Sequence, residues 1–206
     1  MSVRIALFTL ACAGLGQAAA IVETGDAGNL PGTAQVVSGL TGADTLSGNI
    51  SFTSGVDMYA IFLTGGAFGA TTVGQPGTLG DPQLFLFDSA GIGVAANDDG
   101  GSNLDATLSL GAPTPGLYYL AISSYDNDPN NANGLIFPSS PFGPQYGPTG
   151  PGGALPVTGW SGGGGTGSYT IELRGASSAA VPEPSSMVLI GGGLAALGLL
   201  RRRAGR

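Results

Sequence analysis

A chain of 206 residues is long enough for one domain with a substantial core plus terminal segments, and short for two. It has no histidine, no lysine and a single cysteine, Cys12, which excludes Ser-His and Cys-His nucleophile pairs, imidazole metal ligands and Cys/His zinc sites. Residues 21–180 carry twelve carboxylates against one base, Arg174, a net of −11, so nucleic acid and anionic membrane are excluded as partners of that body.

Met1–Ala20 has the layout of a secretory signal peptide, with an early Arg4, an apolar run from Ile5 to Leu15 and the small-residue exit Ala18-Ala19-Ala20. Cleavage is expected after Ala20. A lipoprotein reading through Cys12 fits poorly, because Thr9-Leu10-Ala11 makes a weak lipobox.

From Ile21 to about Gly175 the pattern is one of short strands and turns without helical periodicity. The predicted strands are Ala34–Leu40, Asp44–Thr53, Met58–Thr64, Ala70–Val73, Gln83–Phe87, Gly93–Ala96, Ala106–Leu110, Leu117–Ser123 and Ser168–Arg174. In the last, Tyr169, Ile171 and Leu173 alternate with Thr170, Glu172 and Arg174, which gives one dry and one wet face; Tyr59, Ile61 and Leu63 repeat the device. Strands at such spacing predict an all-β fold, an antiparallel β-sandwich or jelly roll, over residues 21–175.

Residues 129–168 interrupt this pattern with seven prolines and twelve glycines. Such a segment packs no core of its own. Its apolar members Ile136, Phe137, Phe142, Tyr146 and Trp160 are expected to pin it onto the sandwich. The sharper alternative makes Trp160 and Tyr146 aromatic platforms for sugar rings.

The chain closes on a small-residue spacer, Val181-Pro182-Glu183-Pro184, an apolar run Met187–Leu200, and Arg201, Arg202 and Arg203. Fourteen residues of helix span about 21 Å at 1.5 Å each, short of the ~30 Å hydrocarbon core, so the C-terminal hydrophobic helix reads as a transient anchor in the inner membrane. The arginines would remain on its cytoplasmic side.

Val181-Pro182-Glu183-Pro184, the apolar run and the arginine cluster, in that order within residues 176–206, resemble the PEP-CTERM sorting signal of Gram-negative bacteria. The resemblance implies recognition by an exosortase-type membrane enzyme near Pro182-Glu183-Pro184 and delivery to the cell envelope or extracellular matrix, in the setting of exopolysaccharide and biofilm. The body is similar to bacterial pre-peptidase C-terminal domains through Asp57-Met58-Tyr59, the run Asp81 to Asp88 (DPQLFLFD), Asn97-Asp98-Asp99 and the run Gly116 to Ile122 (GLYYLAI). That resemblance implies a jelly-roll-like binding module, sometimes with calcium. The insertion at 129–168 departs from the compact pattern.

Several residues invite chemistry. Calcium takes six to eight oxygens at 2.3–2.6 Å, so Asp98, Asp99, Asn103 and Asp105 are the candidate Ca²⁺ ligands, with Asp57, Asp81 or Asp88 able to complete the shell from adjacent turns. Asp-Asp-Gly-Gly is equally ordinary turn chemistry. Asp126-Asn127-Asp128 begins an EF-hand pattern but then fails, with Asn131 where glycine belongs and Phe137 where the bidentate glutamate belongs. Gly159-Trp160-Ser161-Gly162-Gly163 matches G-x-S-x-G without a histidine to serve it. Two carboxylates can hydrolyse a glycosidic bond, but no pair is placed across a cleft by sequence. The expected function is therefore a non-catalytic exported surface or matrix protein. The alternatives are a carbohydrate-binding adhesin, with extracellular polysaccharide as partner, and a β-sandwich glycosidase.

Overall fold

The computed structural model describes residues 18–51, 55–100 and 103–178. The leader Met1–Ala20, except its last three residues, lies outside them, and so does the tail beyond Ser178 with its expected helix. Among the described residues there is no helix, and fourteen strands build three sheets.

The first sheet has five strands. β1 (Ala20–Val22) runs parallel to β3 (Ala43–Ile50), which pairs antiparallel with β13 (Gly167–Arg174); β5 (Phe68–Thr71) and β8 (Thr107–Leu110) follow. The second sheet runs β14 (Ala176–Ser178), β4 (Val56–Leu63), β9 (Gly116–Ser124), β6 (Pro82–Asp88) and β7 (Gly93–Asn97), with β2 (Gln35–Val36) pairing β4 in parallel. A small third sheet, β11 (Gly134–Leu135), β10 (Pro129–Asn131) and β12 (Gly159–Trp160), lies within the insertion.

The two large sheets face each other as a β-sandwich. Leu46, Ile50, Tyr169, Ile171, Leu173 and Leu108 from one sheet meet Tyr59, Ile61, Leu63, Leu84, Leu86, Leu120 and Ile122 from the other in one buried cluster. Alternation in β13 produces this directly: Tyr169, Ile171 and Leu173 point inward, and Arg174 is exposed.

β4 departs from the expected wet face. Val56, Met58 and Ala60, which alternate with Tyr59 and Ile61, are buried too. The reason is the insertion. Ile136, Phe137 and Val157 cover the outer face of the second sheet and form a second cluster with Val56, Met58, Phe85, Phe87, Ala96 and Ala121. A sheet covered on both faces reads as continuous apolar runs, as β4, β6 and β9 do.

Gly93 makes room for this cover: a Cβ there would stand 2.7 Å from both Ile136 Cγ2 and Phe137 Cζ. Backbone bonds then stitch the insertion down, with Ala96 and Tyr146 exchanging N–H and C=O in both directions and Val157 N donating to Gly91 O at 2.9 Å.

Candidate functional site

The acidic residues converge at one end of the second sheet because of strand register. Leu84 pairs with Asn97 in the β6–β7 hairpin, so Asp81, just before β6, and Asp98 and Asp99, just after β7, arrive at the same end. β9 ends beside them, since Pro82 pairs with Ser124, and the following turn brings Asp128 to the same place. One carboxylate oxygen from each of Asp81, Asp98 and Asp99 lies within 4.8 Å of the other two.

These carboxylates are poorly served by the protein. Asp98 is 9% exposed, and its Oδ1 and the buried Oδ1 of Asp81 have no hydrogen-bond partner. Burial, then the charges of Asp81, Asp99 and Asp128, push the Asp98 carboxyl up to about 7. Burial, then Asp99, raises Asp81; burial also raises Asp128, partly offset by the hydrogen bond from Gln83 Nε2 to its Oδ1 at 3.3 Å.

A cavity of about 20 Å³ is lined by Asp98, Asp128, Gln83 and Asn97 together with Pro141, Phe142 and Tyr146 of the insertion. It is of single-ion or single-water size. A wider pocket of about 240 Å³ beside it is bordered by Asp98, Asp126, Asp128, Tyr125 and Phe142. The rings of Tyr125 and Phe142 meet edge to face at 5.6 Å, and both are exposed.

The donor set fits a hard cation. Two ligands on opposite sides of a calcium ion stand about 5 Å apart, close to the span of this group, and the orphaned carboxyl oxygens have no donor from the protein. Of the four residues expected from sequence as ligands, Asp98 and Asp99 belong to this group. Asn103 and Asp105 turn away: the Asn103 amide donates to Asp105 Oδ2, and Thr72 Oγ1 donates to Asp105 Oδ1 at 3.5 Å. Asp81 takes the remaining place. Asp88 instead closes its own turn, accepting from Ala90 N at 2.9 Å and Ile92 N at 3.0 Å.

Asp57 belongs elsewhere. It lies 1% exposed on β4 and accepts from the Tyr169 hydroxyl at 2.8 Å; the Tyr59 hydroxyl stands 2.5 Å from that of Tyr169. Burial is the main cause that pushes Asp57 up to about 7. Nothing in the local sequence announces this trio, because Asp57 and Tyr169 are 112 residues apart.

The remaining motifs are bracing elements. Ser161 Oγ, of the G-x-S-x-G match, accepts from Asp128 N at 2.8 Å and donates to Asp126 O at 3.2 Å. Asn127 donates to Gly55 O and accepts from Gly162 N, both at 2.9 Å, so the half EF-hand pattern is a loop clamp.

Trp160 packs edge-on against Phe85 at 5.4 Å and Phe87 at 6.4 Å, with its indole N–H donated to Asn29 O at 2.7 Å. Tyr146 is half-buried and donates its hydroxyl to Pro141 O at 2.7 Å. Val181, Pro182, Glu183, Pro184, Arg201, Arg202 and Arg203 lie outside the described residues.

Residues 180–203 match the PEP-CTERM protein-sorting motif. That motif supports an exported protein, associated with the cell envelope through C-terminal sorting and processed by an exosortase-type membrane enzyme. No curated protein matches the chain.

Proposed function

We propose that this chain is a non-catalytic structural or binding protein of the bacterial envelope or extracellular polymer matrix. It enters the export route by its N-terminal leader and is released or transferred by an exosortase-type enzyme acting near Pro182-Glu183-Pro184. The sorting motif at residues 180–203 is the observation that carries this reading. The body is a sandwich of the pre-peptidase C-terminal type. In support, its D-x-Y, D-P-x-L-x-L-x-D and G-x-Y-x-L-x-I segments fall on β4, β6 and β9, which are neighbours in one sheet.

Asp81, Asp98 and Asp99 hold Ca²⁺ at the end of that sheet in this reading. When bound, the ion would supply the positive charge that the orphaned oxygens lack, and it would tie the start of β6 to the end of β7.

Fractionation of a native host with and without its exosortase tests the proposal. Envelope or extracellular protein lacking residues after Pro184 is expected in the first, and full-tailed protein held in the inner membrane in the second. Cytoplasmic protein with Met1 intact would overturn it.

A second reading, a carbohydrate-binding adhesin, is favoured by one observation: exposed Tyr125 and Phe142 border the wider pocket beside the acidic residues. Polysaccharide pull-down with Tyr125→Ala and Phe142→Ala checks it, since binding indifferent to both changes removes it.

A further inference from the structure

Ala19 and Ala20 are tied to the first sheet. Ala19 O accepts from Thr45 N at 2.9 Å, Ala20 pairs with Thr45 in register, and Glu23 N donates to Ser47 O at 2.8 Å. Ala19 N donates to Asp44 Oδ1 at 2.8 Å. Ala20 therefore opens β1 and Ala19 is bonded to the neighbouring strand just before it, whereas the A-x-A exit would discard both.

Asp44 is built to receive this nitrogen. It is 2% exposed. Its Oδ1 also accepts from Thr41 Oγ1 at 2.7 Å, and its Oδ2 accepts from Thr41 N and Gly42 N, both at 2.8 Å. Burial alone would raise this carboxyl, but the donors from Thr41, Ala19 and Gly42 outweigh it and hold the group below the usual carboxylate range. The group is thus an anion at neutral pH, and among the described residues no side-chain cation stands against it. The only basic side chain among the described residues, Arg174, is bonded to Glu172. A buried carboxylate without a counter-charge is costly.

We propose that the leader is removed between Ala18 and Ala19, and that the new α-ammonium of Ala19 is the counter-ion of Asp44. This rests on the export reading above. Gly16-Gln17-Ala18 places small residues at the third and first positions before that bond, so it satisfies the small-residue rule as well as Ala18-Ala19-Ala20 does. Hydrolysis by the signal peptidase of the export route breaks the Ala18 carbonyl–Ala19 nitrogen bond with one water. The Ala18 carboxylate leaves with the leader, and the Ala19 nitrogen takes up protons to become an ammonium. An amide N–H···O⁻ bond becomes an ion pair at the same position, with both partners charged. Cleavage after Ala20 would instead remove the Ala19 donor to Asp44 Oδ1 and the Ala19 acceptor of Thr45 N.

N-terminal sequencing and intact-mass measurement of the exported protein from its host test the site. A chain beginning at Ala19 is expected. One beginning at Ile21 overturns this assignment alone, and one retaining Met1 overturns it together with the export reading. The ion pair has its own test on protein beginning at Ala19. Acetylating the α-amine keeps an N–H but removes its charge, and should lower the melting temperature by about 3–8 °C. In Asp44→Asn protein the same acetylation should change nothing. Equal melting temperatures with and without acetylation in the unsubstituted protein would overturn the pairing.

Discussion

Tyr169 on β13 donates its hydroxyl to Asp57 on β4 at 2.8 Å, a side-chain bond that crosses between the two sheets of the sandwich. The Tyr59 hydroxyl joins it at 2.5 Å, and all three side chains are buried. Burial is the largest of the causes that raise both tyrosines above their usual range, so they stay protonated and serve as donors. Tyr169→Phe leaves a buried carboxyl without this donor and should cost about 1–3 kcal/mol in urea unfolding. Adding Tyr59→Phe should cost less than its single effect, because its partner has already gone. Independent, additive losses would show that the hydroxyls do not act as one unit.

Stability should depend on pH in an unusual direction. Asp57 and Asp98 are both pushed up to about 7, mainly by burial, whereas an unfolded aspartate titrates near 3.9. Between about pH 4 and pH 7 the folded chain therefore holds more protons than the unfolded one, and stability falls as pH rises through that window. Chelator-treated protein should melt higher at pH 5 than at pH 7.5. Asp57→Asn should remove part of this slope and Asp98→Asn another part. A melting temperature that rises steadily from pH 5 to 7.5 would contradict the burial of these carboxyls.

How much of this could be read before the structure depends on sequence separation. The strands β3 to β9 and β13 follow from apolar runs and alternation, and their positions match to within a few residues. β1 and β14 were hidden because Ala20–Val22 and Ala176–Ser178 are short runs of small or mixed residues that look like the edges of targeting segments. They become strands only through pairing with β3 and β4. The acidic site was half legible. Asp98-Asp99 stands out in the chain, but the loop's own Asn103 and Asp105 turn toward each other and Thr72. The third carboxylate comes from the other strand of the hairpin. Asp128 could have been found from its place at the end of β9, the neighbour of β6. The Asp57–Tyr169 bond had no local signal.

Calcium should raise the melting temperature of chelator-treated protein by several degrees, since a ligand that binds only the folded state at 100 times its dissociation constant adds about 2.7 kcal/mol. Asp98→Asn and Asp81→Asn should abolish the rise. Asp105→Asn should keep it, because Asp105 is occupied by Asn103 and Thr72. This separates the site formed by the hairpin ends from one formed by the loop alone: a rise lost only with Asp105→Asn would place the ion in the loop. Above about pH 7, where Asp98 is ionised, the calcium-induced rise should be larger than at pH 5, because protons compete for the same oxygens.

The insertion should behave as core despite its composition. Phe137 is 3% exposed, with its ring 5.9 Å from Phe85 and 6.0 Å from Phe87, over the outer face of the second sheet. Phe137→Ala should cost about 3–5 kcal/mol, as a large-to-small change in a packed interior does. Trp160→Ala removes the edge-on contacts with Phe85 and Phe87 together with the bond to Asn29 O, and should also lower stability by several kcal/mol. Both changes expose β4, β6 and β9 on a face whose Val56, Met58, Phe85 and Phe87 are apolar. Increased binding of a hydrophobic dye below the melting transition should therefore accompany the loss. Wild-type stability in Phe137→Ala would mean that the proline- and glycine-rich segment is a detachable loop and that the second sheet keeps its outer face dry by other means.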